Sequence, residues 1–158
     1  SSAASDVYKR QSPSRLKLEI TESAVMLDVP KQVALIQKLQ AEGFIVEMDD
    51  FGSGYSSLNT LKDIPVDILK LDMKFMAKSQ NSQRSADIVQ MMVAMADKLN
   101  MPVIAEGVET KEQADFLGSV GCDIIQGYYY AKPMPVEEFR ILLQQHSYRD
   151  IMNVTEKD

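Results

Sequence analysis

Two adjacent aspartates end a run of mostly aliphatic residues, Ile45-Val46-Glu47-Met48-Asp49-Asp50, and Phe51-Gly52-Ser53-Gly54 follows. An ionised carboxylate at the end of a buried strand is heavily penalised unless a cation or a hydrogen-bond donor meets it. Strand pleating aims neighbouring side chains to opposite sides, so Asp49 and Asp50 reach one site only if the backbone turns at once. The Phe51-to-Gly54 segment is expected to supply that turn. Hard oxygen donors of this kind suit Mg²⁺ or Mn²⁺, and two such ions bridged by one aspartate are a recurring solution for cleaving phosphate esters. The competing reading is an Asx-turn over a glycine loop.

Four more segments carry polar groups where an aliphatic run stops. Glu19 ends one such run and Glu22 follows in the next loop; taken alone they read as a surface acid and a helix N-terminal cap. Lys70 sits inside Ile68-Leu69-Lys70-Leu71, where an ammonium needs an anionic partner, either a protein carboxylate or a substrate phosphate. Glu106 and Glu109 repeat the pattern of strand-end acid, glycine and second acid, and general base is one role open to them. Gln126 before Gly127 can hydrogen-bond water or substrate.

The elements that must position these groups alternate in type. Short apolar runs at Leu16–Ile20, Phe44–Met48, Val66–Leu71, Val103–Ala105 and Ile124–Ile125 read as strands. Between them, helices are expected at Pro30–Ala41 with Asp28 as cap and Gly43 as stop, at Ser56–Lys62, and at Ser85–Leu99. The apolar stripe of that last helix is Ile88, Met91, Met92, Met95 and Leu99. A Thr110/Gln113 capping box opens another helix to about Leu117, and Pro135–Gln145 forms the last, with Val136, Phe139, Ile141, Leu142 and Leu143 supplying apolar surface. Nearly continuous apolar strands, each followed by a helix, indicate an α/β fold with a parallel sheet covered on both faces. Polar residues gathered at strand C-termini favour part of a TIM (β/α)₈ barrel over a doubly wound sheet. About five βα units are present, against the eight of a full barrel of roughly 250 residues.

Composition narrows the class. The 158 residues, 45% hydrophobic and 25% charged, suit one globular domain with a real core rather than a disordered or fibrous chain. A net charge of -6 disfavours a DNA or RNA polymer as partner. Cys122, the single cysteine, cannot form an internal disulfide, which points to a reducing compartment, the cytoplasm by default. It reads as a small hydrophobe opening a strand, and the methionines of the long helix as core or interface residues. No apolar run approaches membrane-spanning length, so no membrane contact is expected from this segment, although a parent protein could be anchored through another. The opening Ser1–Gln11 stretch lacks hydrophobic periodicity and resembles translated adapter sequence. Residues 1–14 are set apart as a non-native or disordered leader, 15–145 as the folded part, and 146–158 as a polar tail in which His146 reads as a solvated cap.

Five motifs, Glu19-Ile20-Thr21-Glu22-Ser23, Asp49-Asp50-Phe51-Gly52-Ser53-Gly54-Tyr55-Ser56-Ser57-Leu58, Asp67-Ile68-Leu69-Lys70-Leu71-Asp72, Ala105-Glu106-Gly107-Val108-Glu109-Thr110 and Gln126-Gly127-Tyr128-Tyr129-Tyr130-Ala131-Lys132-Pro133, resemble in order and spacing those of the EAL domain of bacterial cyclic di-GMP phosphodiesterases. The resemblance runs from about Arg15 to about Leu143. It implies a (β/α)₈ barrel that linearises cyclic di-GMP to pGpG with two Mg²⁺ or Mn²⁺ ions. It implies Glu19, Asp49 and Asp50 as metal ligands, and Lys70 and Glu106 as the catalytic groups flanking the attacking water. Glu109 and Gln126 would meet substrate or its water, and Glu22 would brace the loop from Phe51 to Leu58, which in the family also contributes to dimer contacts. Ser53 stands where threonine is more usual and keeps the hydroxyl.

The Glu-Ala-Leu motif that names the family, its nearby arginine and a downstream asparagine ligand belong before Leu16 and are not in the chain. The expectation is therefore split: a parent protein that hydrolyses cyclic di-GMP, and a chain that by itself is inactive or poorly folded. A non-catalytic EAL-like receptor or protein-interaction module is the alternative from another class. A different metal-dependent barrel enzyme would fit the strand-end acids but not the ordered motifs.

Overall fold

The structure, a computed structural model, describes residues 12–52, 58–73 and 82–145. Five strands, β1 (Lys17–Thr21), β2 (Ile45–Phe51), β3 (Ile68–Asp72), β4 (Val103–Glu106) and β5 (Ile124–Ile125), form one sheet in the order β1-β2-β3-β4-β5. Every pairing is parallel. The expected α/β class and parallel sheet are therefore present. The helices are α1 (Glu22–Leu27), α2 (Val29–Ala41), α3 (Leu58–Asp63), α4 (Ser82–Lys98), α5 (Lys111–Ser119) and α6 (Val136–Gln145).

Local chemistry explains the boundaries. Asp28 caps α2 by accepting from Lys31 N, Pro30 occupies its first turn, and Gly43, at φ +91°, takes the left-handed conformation that ends it. Thr110 and Gln113 make the reciprocal capping box of α5. α1 was not expected: it is six residues long, too short to show a period, and its signal is Thr21 as a cap accepting from Ala24 N. In α4 the buried positions are Ser85, Val89, Val93 and Ala96, flanked by Met92 and Met95, whereas Met91, and Leu99 just beyond the helix, are exposed. The stripe is thus turned about one position from the expected one, because Met, Val and Ala crowd the helix on several sides and periodicity alone does not choose among them. His146 and residues 53–57 lie outside the described residues.

Strand pairing sorts the side chains into two faces, since register partners in a parallel sheet point the same way. Val46, Met48, Leu69, Leu71, Val103 and Ala105 are buried with Val25, Ile36, Val93, Ala114 and Leu117 from the helices, making the apolar core. The opposite face carries Glu19, Glu47, Asp49, Lys70 and Glu106. That face also holds Ile68 and the buried Ile104 beside the charged groups. The apolar residues of α6, among them Val136, Phe139 and Ile141, stay exposed, and the helix has no buried residue.

A repeated device holds the strand starts in register. Asp67, just before β3, accepts from Val46 N at 2.8 Å through one oxygen and from Gln40 Nε2 at 3.0 Å through the other. Asp123, just before β5, acts likewise on the start of β4, accepting from Val103 N at 2.8 Å. Hydrogen bonds to a charged acceptor are the stronger kind. Asp67→Ala should destabilise the chain by about 2 kcal/mol in urea unfolding, and the amide of Val46 should lose hydrogen-exchange protection.

Candidate metal and catalytic site

The convergence of Asp49 and Asp50 is produced inside β2. Register with β3 shifts between Met48 and Phe51, and Asp50 adopts φ +57°, a left-handed conformation that aspartate tolerates better than most residues. Asp50 N donates to Asp49 Oδ1 at 3.0 Å. The turn expected from the glycine segment thus begins one residue earlier, at Asp50 itself, and the bulge cancels the pleat that would separate the two carboxylates. Asp49, Asp50 and Glu106 each offer an oxygen within 4.8 Å of the others.

Lys70 gathers the acids from three other strand positions. Its Nζ, on a side chain 6% exposed, lies 2.7 Å from Glu19 Oε1, 3.1 Å from Asp49 Oδ1 and 3.1 Å from Glu106 Oε2. Burial alone would pull the ammonium down, but the three carboxylates outweigh it and hold Lys70 well above the usual lysine range. Burial likewise pushes Asp49 up, yet hydrogen bonds from Lys70 and from Asp50 N carry it below the usual carboxylate range. Glu106 ends up above that range: burial dominates, and the neighbouring Asp49 adds to it against the pull of Lys70. Two carboxylates a few ångströms apart are therefore shifted in opposite directions, Asp49 down and Glu106 up.

Glu22, first residue of α1, is buried and accepts from Gly52 N at 3.1 Å through Oε2. The acid placed by sequence in a loop thus ties α1 to the end of β2. Burial raises its pKa, the Gly52 bond lowers it, and Asp50 raises it again, for a net rise. A carboxyl whose folded pKa is raised favours folding below its unfolded value of about 4.5 and loses that contribution as pH rises through the folded value. Glu22→Gln keeps the acceptor for Gly52 N and removes the charge. It should therefore raise the thermal midpoint of the metal-free chain at pH 7, an advantage that shrinks as pH falls into the carboxylate range.

On the other side, Gln126 Nε2 donates to Glu106 Oε2 at 3.0 Å. Glu106, Gln126 and Glu109 share the wall of an open cleft of about 610 Å³ with Asp72, Lys132 and Phe139. Lys132 Nζ stands 5.6 Å from the Tyr128 ring centroid at the same rim. Glu109 does not touch the acid cluster; its backbone N donates to Gln113 at the start of α5. Glu19 meets the cluster through Lys70 and lies outside the Asp49-Asp50-Glu106 triad. Asp72, which sequence reading left aside, pairs in register with Glu106 and lines the cleft.

Three converging carboxylates are an all-oxygen donor set that fits a hard divalent cation such as Mg²⁺ or Mn²⁺. With Lys70 and an open cleft beside them, on the charged face of a parallel α/β sheet, they form a cluster of the kind found at the strand ends of barrel folds. The chain belongs to the EAL domain family, whose model matches residues 2–133.

Its relatives include "Cyclic di-GMP phosphodiesterase NbdA" of Pseudomonas aeruginosa, 43% identical over 127 residues, a stretch that is 78% of this chain and 16% of that protein. Among solved structures it is similar to "PaMucR Phosphodiesterase, c-di-GMP complex", with TM-score 0.78, 39% identity, and coverage of 87% of this chain and 56% of that one. It is also similar to a manganese and cy-diGMP complex of Klebsiella pneumoniae BlrP1, with TM-score 0.74, 31% identity, and coverage of 82% and 33%. The chain thus spans about a sixth of that curated relative and about half of the PaMucR chain. Among the described residues no helix is long and apolar enough to cross a membrane.

Proposed function

We propose that residues 15–145 serve as the C-terminal part of an EAL barrel in a cytoplasmic enzyme that hydrolyses cyclic di-GMP to linear pGpG. The observation that carries this reading is the meeting of Lys70 with Glu19, Asp49 and Glu106 beside the cleft that holds Gln126 and Glu109. The phosphodiesterase relatives and the dinucleotide complexes among the structural neighbours support the substrate.

Asp49, Asp50 and Glu106, with Glu19 at the edge, are the groups that would hold Mg²⁺ or Mn²⁺. Bound ions of this class stabilise charge on a phosphodiester and make a nucleophile of bound water. The remaining roles belong to the chain. Glu106, at the end of β4 between Lys70 and Gln126, takes the proton of the attacking water at a carboxylate oxygen. Gln126 fixes that carboxylate through its amide. Lys70 stays protonated and orients the water by donating to it or to the acids around it. The water oxygen bonds to phosphorus as the ester P–O bond breaks, the released sugar oxygen takes a proton from solvent water, and Glu109 meets a guanine edge at the cleft rim.

The test is chromatographic detection of pGpG from cyclic di-GMP and Mg²⁺ with the full-length protein that contains this chain. Absence of product, with binding retained, would replace this reading by a cyclic di-GMP receptor. The chain alone is expected to show no metal-dependent turnover; turnover by it would overturn the placement as part of a larger barrel.

A further inference from the structure

On the charged face, β1 and β2 set Glu19 directly beside Glu47 in register. Like charges in directly opposed positions repel. Each is drawn to a different lysine: Glu47 Oε1 lies 2.8 Å from Lys17 Nζ, and Glu19 Oε1 lies 2.7 Å from Lys70 Nζ. The Glu47 side chain is 4% exposed and that of Lys17 43%. Glu47 Oε1 has this charge contact without an aligned hydrogen bond, so its burial is balanced chiefly by the Lys17 ammonium. Lys17 precedes Glu19 by two residues on the same strand and hence on the same face. Its four-carbon stem brings either carboxylate within reach.

We infer that Glu47 is a positioning residue: by holding Lys17 it keeps that ammonium off Glu19 and leaves Glu19 to Lys70 and the acid cluster. Two lysines and two opposed glutamates allow two pairings. In the one observed, Glu19 is directed toward Asp49 and Glu106; in the other, Lys17 draws it back along β1. With Glu47 neutral, Lys17 has no anionic partner of its own and competes with Lys70 for Glu19. The consequence for metal uptake rests on the functional reading above, whereas the choice of pairing does not.

Both consequences are measurable in the full chain. Without metal, the Lys70 side-chain ammonium resonance, assigned by its loss in Lys70→Arg, should move in Glu47→Gln toward the position it takes in Glu19→Gln. It should return when Lys17→Met is added to Glu47→Gln. With Mn²⁺ followed by electron paramagnetic resonance, Glu47→Gln should weaken binding about fivefold, and the added Lys17→Met should restore it. A simple packing role for Glu47 predicts no rescue by Lys17→Met, and an unmoved resonance or an absent rescue overturns the inference. Failure of the unaltered chain to take up Mn²⁺ would count against the metal reading, and the resonance would still decide the pairing.

Discussion

Gly127→Ala should unfold or severely loosen the cleft wall, with a loss of about 3 kcal/mol or more in chemical denaturation. A Cβ at Gly127 would fall well inside contact distance of Val108 O, N and C. These are backbone atoms, so no rotamer change relieves the overlap. The strand end and the loop after β4 must separate. That separation breaks the bond from Val108 N to Gln126 O and the one from Tyr129 N to Val108 O, at 3.2 and 3.0 Å. Gln126 then loses its position against Glu106, and Glu109 shifts with the same loop. Hydrogen exchange at Val108 and Tyr129 reports the separation directly, and intact protection at both amides in the variant would refute it.

Lys70→Met is expected to lower the stability of the metal-free chain at pH 7 by about 3 kcal/mol. The side chain is nearly isosteric, but removal of the ammonium leaves Glu19, Asp49 and Glu106 clustered without their shared cation. The value is placed at the low end for a broken buried pair because the acids keep access to water, Glu19 most of all. The pH dependence follows from the shifts. Lys70, raised, contributes fully below its unfolded value of 10.5 and loses its contribution only as pH rises through a still higher one. Asp49, lowered, contributes fully above 3.8 and loses its contribution as pH falls through a lower value. Native and variant chains should thus differ most on a plateau between these limits and converge in acid. Glu106 acts with the opposite sign: it resists ionising, and more strongly without Lys70. Urea unfolding at pH 3 and pH 7 checks this, and an equal difference at both would rule out the electrostatic account.

Much of the architecture was legible because it follows from local rules. Alternating apolar runs and caps located all five strands to within a few residues, and the Asp28, Gly43 and Thr110 signals placed the ends of two helices. Other features have no local signature. α1 is too short to show a period, so Glu22 read as an acid in a loop or at a helix N-terminus, and its burial was not legible. The close approach of Gly127 to Val108 reads in sequence only as a glycine after a glutamine. Glu47 passed in sequence as one residue of a mostly aliphatic run, and its pairing with Lys17 is set only by the register of β1 and β2.

The chain order alone carried the kinds of group available: hard carboxylates, one ammonium among aliphatic residues, glycines where backbone must turn or approach closely, and motifs ordered as in one family. It did not carry which groups meet. Glu19 and Lys70 are 51 positions apart, and their 2.7 Å contact exists because two strands flank β2 in register. Asp49 and Asp50 converge because a single left-handed residue interrupts the pleat. Ionic contacts and shared protonation depend on distances of a few ångströms, which strand pairing and one backbone bulge set and which no spacing along the chain encodes.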